Sequence, residues 1–444
     1  PIPGPEVYDL RTRRTGKPPV PAPDPESPDF DRVDLGVGGW ERDAGDWEWG
    51  AADREAIGSN SFAVAGRLTT DGQPLLANDM HLTIRVPNTW YRVSLEWPDP
   101  SAPGSTHRVT GVTLPGVPAI VVGSNGAVVW GFTNTYADWS DIVLLEVDPS
   151  RPSAYRTPDG WREFERHDEV IEVAGEPPQR HEVPWTIWGP VLEPDHRERP
   201  RAYRWVAHDA DRLAVSLTPL ESARTLAEAF EQANGVGAPG QNIIVVDRAG
   251  RIGWSVYGSI PRRAGFDGRT PASWADGTRG WRGWLDDSQY PRVVDPADGR
   301  IWTANARVVN GDMLAALGDG SYEIGSRARI IRDRLMARDR FSARDLLDIQ
   351  LDTGADFLAR WRGLLLETLT PDATRGHPAR ALLREILDRE WSGRAAADSA
   401  AYRLTRSFRQ LVSDRLIAFV LIECYEADRR FDYTTVRRRD AALG

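Results

Sequence analysis

The sequence predicts a layered α+β protein, and three observations carry that prediction. Short apolar runs divided by turn residues crowd residues 59 to about 147 and return at 241 to 260. From about residue 323 the apolar period becomes that of helices. A chain of 444 residues, 41% hydrophobic, buries enough surface for more than one packed layer.

Residues 1 to about 58 read as a linker. Pro18, Pro19, Pro21, Pro23, Pro25 and Pro28 stiffen it, and its apolar surface is too small to fold alone. Phe62-Ala63-Val64 and Leu75-Leu76-Ala77 then flank the turn Asp71-Gly72. Ala119-Ile120-Val121-Val122 and Ala127-Val128-Val129-Trp130 flank Asn125-Gly126, a strong hairpin signal. Asp141 to Val147 adds a buried strand, and such a succession implies a large, mainly antiparallel sheet. Residues 148–240 form an excursion with a strand at Glu169–Val173 and a helix from Leu220 to Ala233. Thr218 is placed to cap that helix, Pro219 suits its first position, Glu221 sits at capping-box spacing, and Gly235 and Gly237 end it.

Strands resume with Asn242–Val246 and Ile252–Tyr257 around a turn at Asp247–Gly250. Residues 261–300 look irregular around Trp274, Trp281 and Trp284, and a short strand, Ile301–Ala304, ends at Asn305. Ile330, Ile331, Leu335 and Met336 lie at helical spacing, and Ser342 with Asp345 three residues on opens another helix. Trp361–Leu369, Ala379–Trp391 and Tyr402–Tyr425 continue the helical part. The organisation is thus 1–58 as linker and 59–444 as one folded region, divided at about 147, 240 and 322.

Composition excludes several classes of function. The formal net charge is -10 and the arginines are interspersed with acids, so no basic block points to nucleic acid. No apolar run reaches about 18 residues, so no membrane span is expected. Cys424 is the single cysteine; it forms no internal disulfide, and its neighbours Leu421, Ile422 and Tyr425 predict a buried, inert thiol. The seven histidines show no ligand spacing for zinc. The 18 tryptophans suit core packing or an apolar pocket.

An isolated Gly58-Ser59 step reads as a turn. Its sequel changes that reading. Asn78-Asp79-Met80-His81-Leu82 follows, then Gly111-Val112-Thr113-Leu114-Pro115-Gly116-Val117-Pro118, Gly123-Ser124-Asn125-Gly126 and Trp130-Gly131-Phe132-Thr133-Asn134-Thr135. In this order they resemble the penicillin acylase family of N-terminal nucleophile hydrolases, which includes cephalosporin and acyl-homoserine-lactone acylases. The resemblance implies a four-layer αββα core, here incomplete and followed by a helical part. It also implies a precursor that cuts itself between Gly58 and Ser59.

The chemistry of Ser59 makes sense of such a cut. A serine inside a chain has no built-in base, whereas a new N-terminal α-amine, with a pKa of about 7.7–8, lies beside its own hydroxyl. The resemblance gives His81 a role in orienting that hydroxyl or assisting the cut. It gives the Asn134 backbone N–H and the Asn305 side chain the oxyanion, and Arg327 the neighbourhood of Asn305 and the amino terminus. Ala306 departs from the family's second Asn. Leu82 and Phe132 stand at family pocket positions, and Trp188 and Trp302 are further candidates to face the acyl group, each equally readable as core.

No cofactor is expected for the chemistry. Asp138, Ser140 and Asp141 match a family calcium loop, which makes a structural calcium an expectation, with a solvated acidic loop as the alternative. The expected partners are a small-molecule acyl amide and a small subunit from the same precursor. The resemblance suggests a periplasmic or secreted protein, with the cytoplasm as alternative. It also implies that a small chain and the end of the large chain lie outside these residues. The substrate is left open among β-lactam side-chain amides, acyl-homoserine lactones and other lipophilic acyl amides. A catalytically inactive fragment or degenerate homologue with a binding role is the reading from another class.

Overall fold

The computed structural model describes residues 58–82, 86–99, 104–213, 218–235 and 240–427. Residues 1–57 of the predicted linker and the helix-ending Gly237 lie outside them, and Gly58, expected to close the linker, opens the first strand. Among the described residues, Leu369–Arg384 groups apart from the large unit formed by residues 58–368 and 385–427. Within that segment Thr370 caps a one-turn helix, Pro371–Thr374, and Arg384 donates to the Leu369 carbonyl. The remainder concerns the large unit.

Two antiparallel sheets form its centre. The strands that build them are β1 (Gly58–Val64), β2 (Leu75–His81), β3 (Tyr91–Pro98), β4 (Thr106–Thr113), β5 (Val122–Ser124), β6 (Val128–Asn134), β7 (Gln241–Asp247), β8 (Ile252–Tyr257), β9 (Val293–Val294) and β10 (Arg300–Thr303). One sheet runs β2-β1-β10, the other β9-β8-β7-β6-β5-β4-β3. Five helices matter to them: α1 (Thr218–Ser222), α2 (Leu226–Ala233), α3 (Gly311–Leu317), α4 (Ser326–Met336) and α5 (Ala343–Gln350).

Strand alternation sorts the apolar residues into three buried seams. Ala63 and Ile301 meet Ile244, Val246, Trp254 and Val256 between the sheets. Phe62, Val64 and Ala77 turn the other way, onto Ile331 and Leu335 of α4 and Leu346 and Ile349 of α5. Val128, Trp130 and Ile243 pack outward on Leu220, Leu226 and Phe230 of α1 and α2. The order is therefore helix, sheet, sheet, helix: the expected αββα core.

The excursion builds a third, six-stranded sheet from segments between Ser140 and Ser273, with a separate core around Val143, Tyr155, Ala202 and Trp274. Residues 261–300, expected to be irregular, contribute paired strands Pro261–Ala264 and Gly280–Trp284. The strand expected over 141–147 is broken into Ser140–Leu144 and Val147–Asp148.

The single helix expected from Leu220 to Ala233 is two. Thr225 caps α2 by accepting from the Glu228 N–H, and Thr218 lies inside α1. Glu221 does not close a capping box; its carboxylate accepts the Ile120 N–H at 2.7 Å, 101 residues away. The Ser342–Asp345 capping box on α5 is present as expected. Cys424, expected buried, is exposed, while Leu421 and Ile422 take the half-buried positions beside it.

Candidate active site

β1 carries the site because it is the middle strand of its sheet. Ser59 pairs with Met80 on β2, and Ser61 pairs with Thr303 on β10, two residues before Asn305. Ser59, Ser61 and Ala63 share the face that looks at the second sheet, so the Ser59 hydroxyl points into the inter-sheet layer. Asn305 is fully buried and takes a left-handed backbone, φ 64°, which asparagine tolerates better than most residues. That bend aims its amide at β1.

One side chain then holds the serine at both of its polar atoms. The Ser59 backbone N–H donates to Asn305 Oδ1 at 2.8 Å, and Asn305 Nδ2 donates to Ser59 Oγ at 3.2 Å. Nδ2 also donates to the Asn134 carbonyl at 2.9 Å, and Arg327 Nη2 donates to Oδ1 at 2.8 Å. The orientation of the amide is fixed by chemistry: a carbonyl only accepts and a guanidinium only donates. Arg327 Nη1 completes the cage, donating to the Ser59 carbonyl at 2.9 Å and to Asn60 Oδ1 at 2.6 Å. Burial pushes the Arg327 guanidinium down from the usual arginine value.

Asn134 thus enters through its carbonyl, which orients the Asn305 amide. It pairs with Gln241 at the end of β6. The Asn242 amide backs it, donating to the Asn134 carbonyl at 3.3 Å and to Thr133 Oγ1 at 2.9 Å. Asn78 ties the two sheets together: its amide bonds the Asn60 carbonyl and both backbone groups of Phe132. A Cβ at Gly131 would come within 3.0 Å of Asn78, so this close crossing needs glycine.

His81 stands on the other face of the sheet from the Ser59 hydroxyl. It pairs with Gly58, and Asp79 pairs with Asn60, which puts all these on the helix side. His81 Nε2, Asp79 Oδ2 and Asn60 Nδ2 form a triangle of 3.0–3.2 Å edges. The His81 bond holds the Asp79 carboxyl below the usual carboxylate range, against the opposing effect of burial. His81 therefore touches the Ser59 cage through Asn60 and Arg327. Asn78, Asp79 and Met80 stood in the sequence only as part of the motif around His81, and neither they nor Asn60 were given a role of their own. The two-residue step from Asp79 to His81 on a strand was the available signal, since it puts both on one face.

The pocket candidates mostly serve the core instead. Phe132 faces α1 and α2 and packs edge-on to Tyr257 at 5.4 Å. Trp302 pairs with Phe62 and shares its helix-side seam, away from the Ser59 hydroxyl. Trp188 belongs to the core of the third sheet, edge-on to Tyr155 at 5.8 Å and Trp274 at 6.2 Å. Leu82, just beyond the end of β2, is the one that is exposed. Met80, opposite Ser59 on its own face, is the neighbour that register supplies.

The implied calcium loop does not fit a metal. A guanidinium already occupies the carboxylates: Arg263 Nε lies 2.8 Å from Asp141 Oδ2 and Nη2 lies 3.0 Å from Asp138 Oδ2. The Asp141 oxygen also accepts Trp281 Nε1 at 2.6 Å, and the Ser140 N–H turns to Asp138 Oδ1 at 3.4 Å. Among the described residues no group of three or more His, Cys, Asp or Glu could hold a metal ion.

Two sheets covered by helices on both outer sides, with a serine near the start of an inner strand gripped by a buried amide, define the N-terminal nucleophile hydrolase class. A thermostable penicillin G acylase from Alcaligenes faecalis shares the fold, at a TM-score of 0.67 and 20% identity over 83% of this chain and 66% of that one. The chain belongs to the penicillin amidase family, whose sequence profile matches residues 9–439. It is 28% identical to the acyl-homoserine lactone acylase QuiP of Pseudomonas aeruginosa over 385 residues, 81% of this chain and 44% of that protein. It is 30% identical to the penicillin acylase 2 proenzyme of Pseudomonas sp. strain SE83 over 373 residues, 82% of this chain and 46% of the relative. The chain thus spans less than half the length of the curated relatives it matches. No helix among the described residues is long and apolar enough to cross a membrane.

Proposed function

We propose that the protein containing this chain hydrolyses a linear amide between an acyl group and an amine, using Ser59 as an N-terminal nucleophile released by cleavage after Gly58. The observation that carries this is the double grip of Asn305 on the nitrogen and the hydroxyl of one serine, at 2.8 and 3.2 Å. A structural asparagine has no need to reach both. In the reading, the freed α-amine takes the hydroxyl proton as Ser59 Oγ attacks the amide carbonyl. Asn305 Nδ2–H, now on the hydroxyl, follows the charge onto the developing oxyanion. Arg327 and the Asn134 carbonyl keep the amide from rotating. The α-ammonium returns that proton to the nitrogen as the carbon–nitrogen bond breaks and the amine leaves, and water, giving a proton to the same α-amine, releases the acid from the Ser59 ester.

The names of the relatives support the acyl side of this reading: one is a lactone acylase, another a penicillin acylase proenzyme. We favour an acyl group attached to an amine-bearing ring as the substrate, and a partner subunit cut from the same precursor. Intact mass of the precursor and of Ser59→Ala tests maturation, with cleavage expected only in the former. A panel of acyl amides, varied in chain length and amine, tests the reaction, with a covalent acyl adduct on Ser59 expected. Acid release that persists in a correctly cut Ser59→Ala protein overturns the mechanism. A precursor that is cut yet forms no adduct with any member of the panel favours the non-catalytic homologue.

A further inference from the structure

We propose that Arg263 is a resident cation that does in this protein the work of a loop metal: it cross-links Asp138 and Asp141 and holds the segment after Asn134 without calcium. The geometry is that of a filled site. Arg263 Nη2 reaches the Asp138 backbone carbonyl at 3.1 Å as well as its carboxylate, and Nε reaches Asp141. These are two carboxylates and a backbone carbonyl, the oxygen types a hard divalent cation would collect. The guanidinium side chain is 9% exposed and the Asp141 side chain 2%, so the charges meet out of water.

The backbone and an indole crowd the pair as well. A Cβ at Gly268 would fall 2.6 Å from Arg263 Nε and 2.9 Å from Asp138 Oδ2, so the backbone there already closes over the pair. The Trp281 indole N–H lies on the same Asp141 oxygen, and the Arg204 guanidinium covers the Trp281 ring at 4.6 Å.

The clamp matters because of what the segment carries. The Asp138 N–H donates to the Leu317 carbonyl and the Gly320 N–H to the Tyr136 carbonyl, both at 2.9 Å. These bonds tie the stretch leading from Asn134 to the stretch leading from Asn305. Arg263 comes from a strand of a different hairpin, Pro261–Ala264. It joins segments 122 and 125 residues apart, a reach that metal loops achieve by coordination. This inference concerns the stability of the loop and stands whether or not the acylase reading does.

Thermal unfolding of the full chain in chelator and in millimolar calcium tests it, together with terbium luminescence excited through tryptophan. Trp281, already on Asp141, would report a lanthanide there. The wild-type protein is expected to unfold at the same temperature in both conditions and to give no terbium signal that Asp141→Asn removes. Arg263→Ala is expected to lower Tm by roughly 5 °C or more, and Arg263→Lys by less, because a cation remains. A wild-type Tm raised by calcium, with a terbium signal abolished by Asp141→Asn, overturns the proposal. So does an Arg263→Ala protein with an unchanged Tm. Should Arg263→Ala not fold, the two wild-type measurements decide alone.

Discussion

Two of the arginines in the inner part of this unit do opposite things. Arg263 faces two carboxylates and a backbone carbonyl. Arg327 donates to three neutral oxygens: the Ser59 carbonyl and the amide oxygens of Asn60 and Asn305. A guanidinium on carboxylates has its charge cancelled where it stands, and what it gives is cross-linking. A guanidinium on neutral dipoles fixes them in place and keeps its field available to charge that develops nearby. One arginine cross-links charged segments and the other orients the polar groups around Ser59.

The sharpest break in that comparison is Asn305→Ala. It removes the atom that both Arg327 and Ser59 depend on, and kcat should fall roughly 10²–10³-fold, the usual effect of losing one oxyanion donor. Steady-state kinetics on an already cut enzyme measure it; a smaller fall would place the oxyanion elsewhere. Next comes the same conservative change at both arginines. Arg327→Lys keeps a charge but cannot hold all three oxygens, and hydrogen bonds to charged groups are worth about 1.5–3 kcal/mol each, so kcat/KM should drop about tenfold or more. Arg263→Lys should move Tm and leave kcat/KM of the folded enzyme near that of wild type. Equal kinetic damage in both would erase the distinction.

A smaller effect is expected at His81. Its ring reaches the serine only through Asn60 and Arg327, so His81→Gln should cost about tenfold or less, a barrier change of about 1.4 kcal/mol. A loss as large as that of Asn305→Ala would mean that the imidazole meets the substrate directly. The smallest effect is a pH dependence at Asp138. One guanidinium cannot neutralise two carboxylates, and burial, with Asp141 and Asp319 nearby, pushes Asp138 up to about 6 against the pull of Arg263. A folded-state pKa raised above the unfolded value stabilises below the unfolded value, and that stabilisation is lost as pH rises through the folded one. Wild type should therefore gain on Asp138→Asn as pH falls from about 7 to about 5, read as a shift of their Tm difference in the wild type's favour. A constant difference would show that Asp138 stays ionised throughout.

The sequence shows the site better than its surroundings. Ser59, Asn305 and Arg327 could be picked out because flanking motifs stand at fixed spacing, and the geometry brings all three together. The hairpins and the Ser342–Asp345 box were legible because turns and caps are local. The Arg263 clamp was not, since nothing local at Asp138 or Asp141 points to a partner more than 120 residues on. Glu221 failed for the same reason: a buried backbone N–H at Ile120 is a better partner than a helix end with other donors to hand. Phe132 and Trp302 illustrate a third limit. A strand period of two says that Phe132 and Thr133 face opposite ways, but only the register with β7 and β10 says which way leads to Ser59.

Gly58 has the last word on how such a site can change over generations. A Cβ there would lie 2.8 Å from Arg327 Nη2 and 3.2 Å from Asn305 Oδ1. Any other residue at that position would push on the guanidinium and the amide that hold Ser59. Position 58 is therefore read by residues some 250 places further along the chain, and a library of variants there should be strongly biased toward glycine.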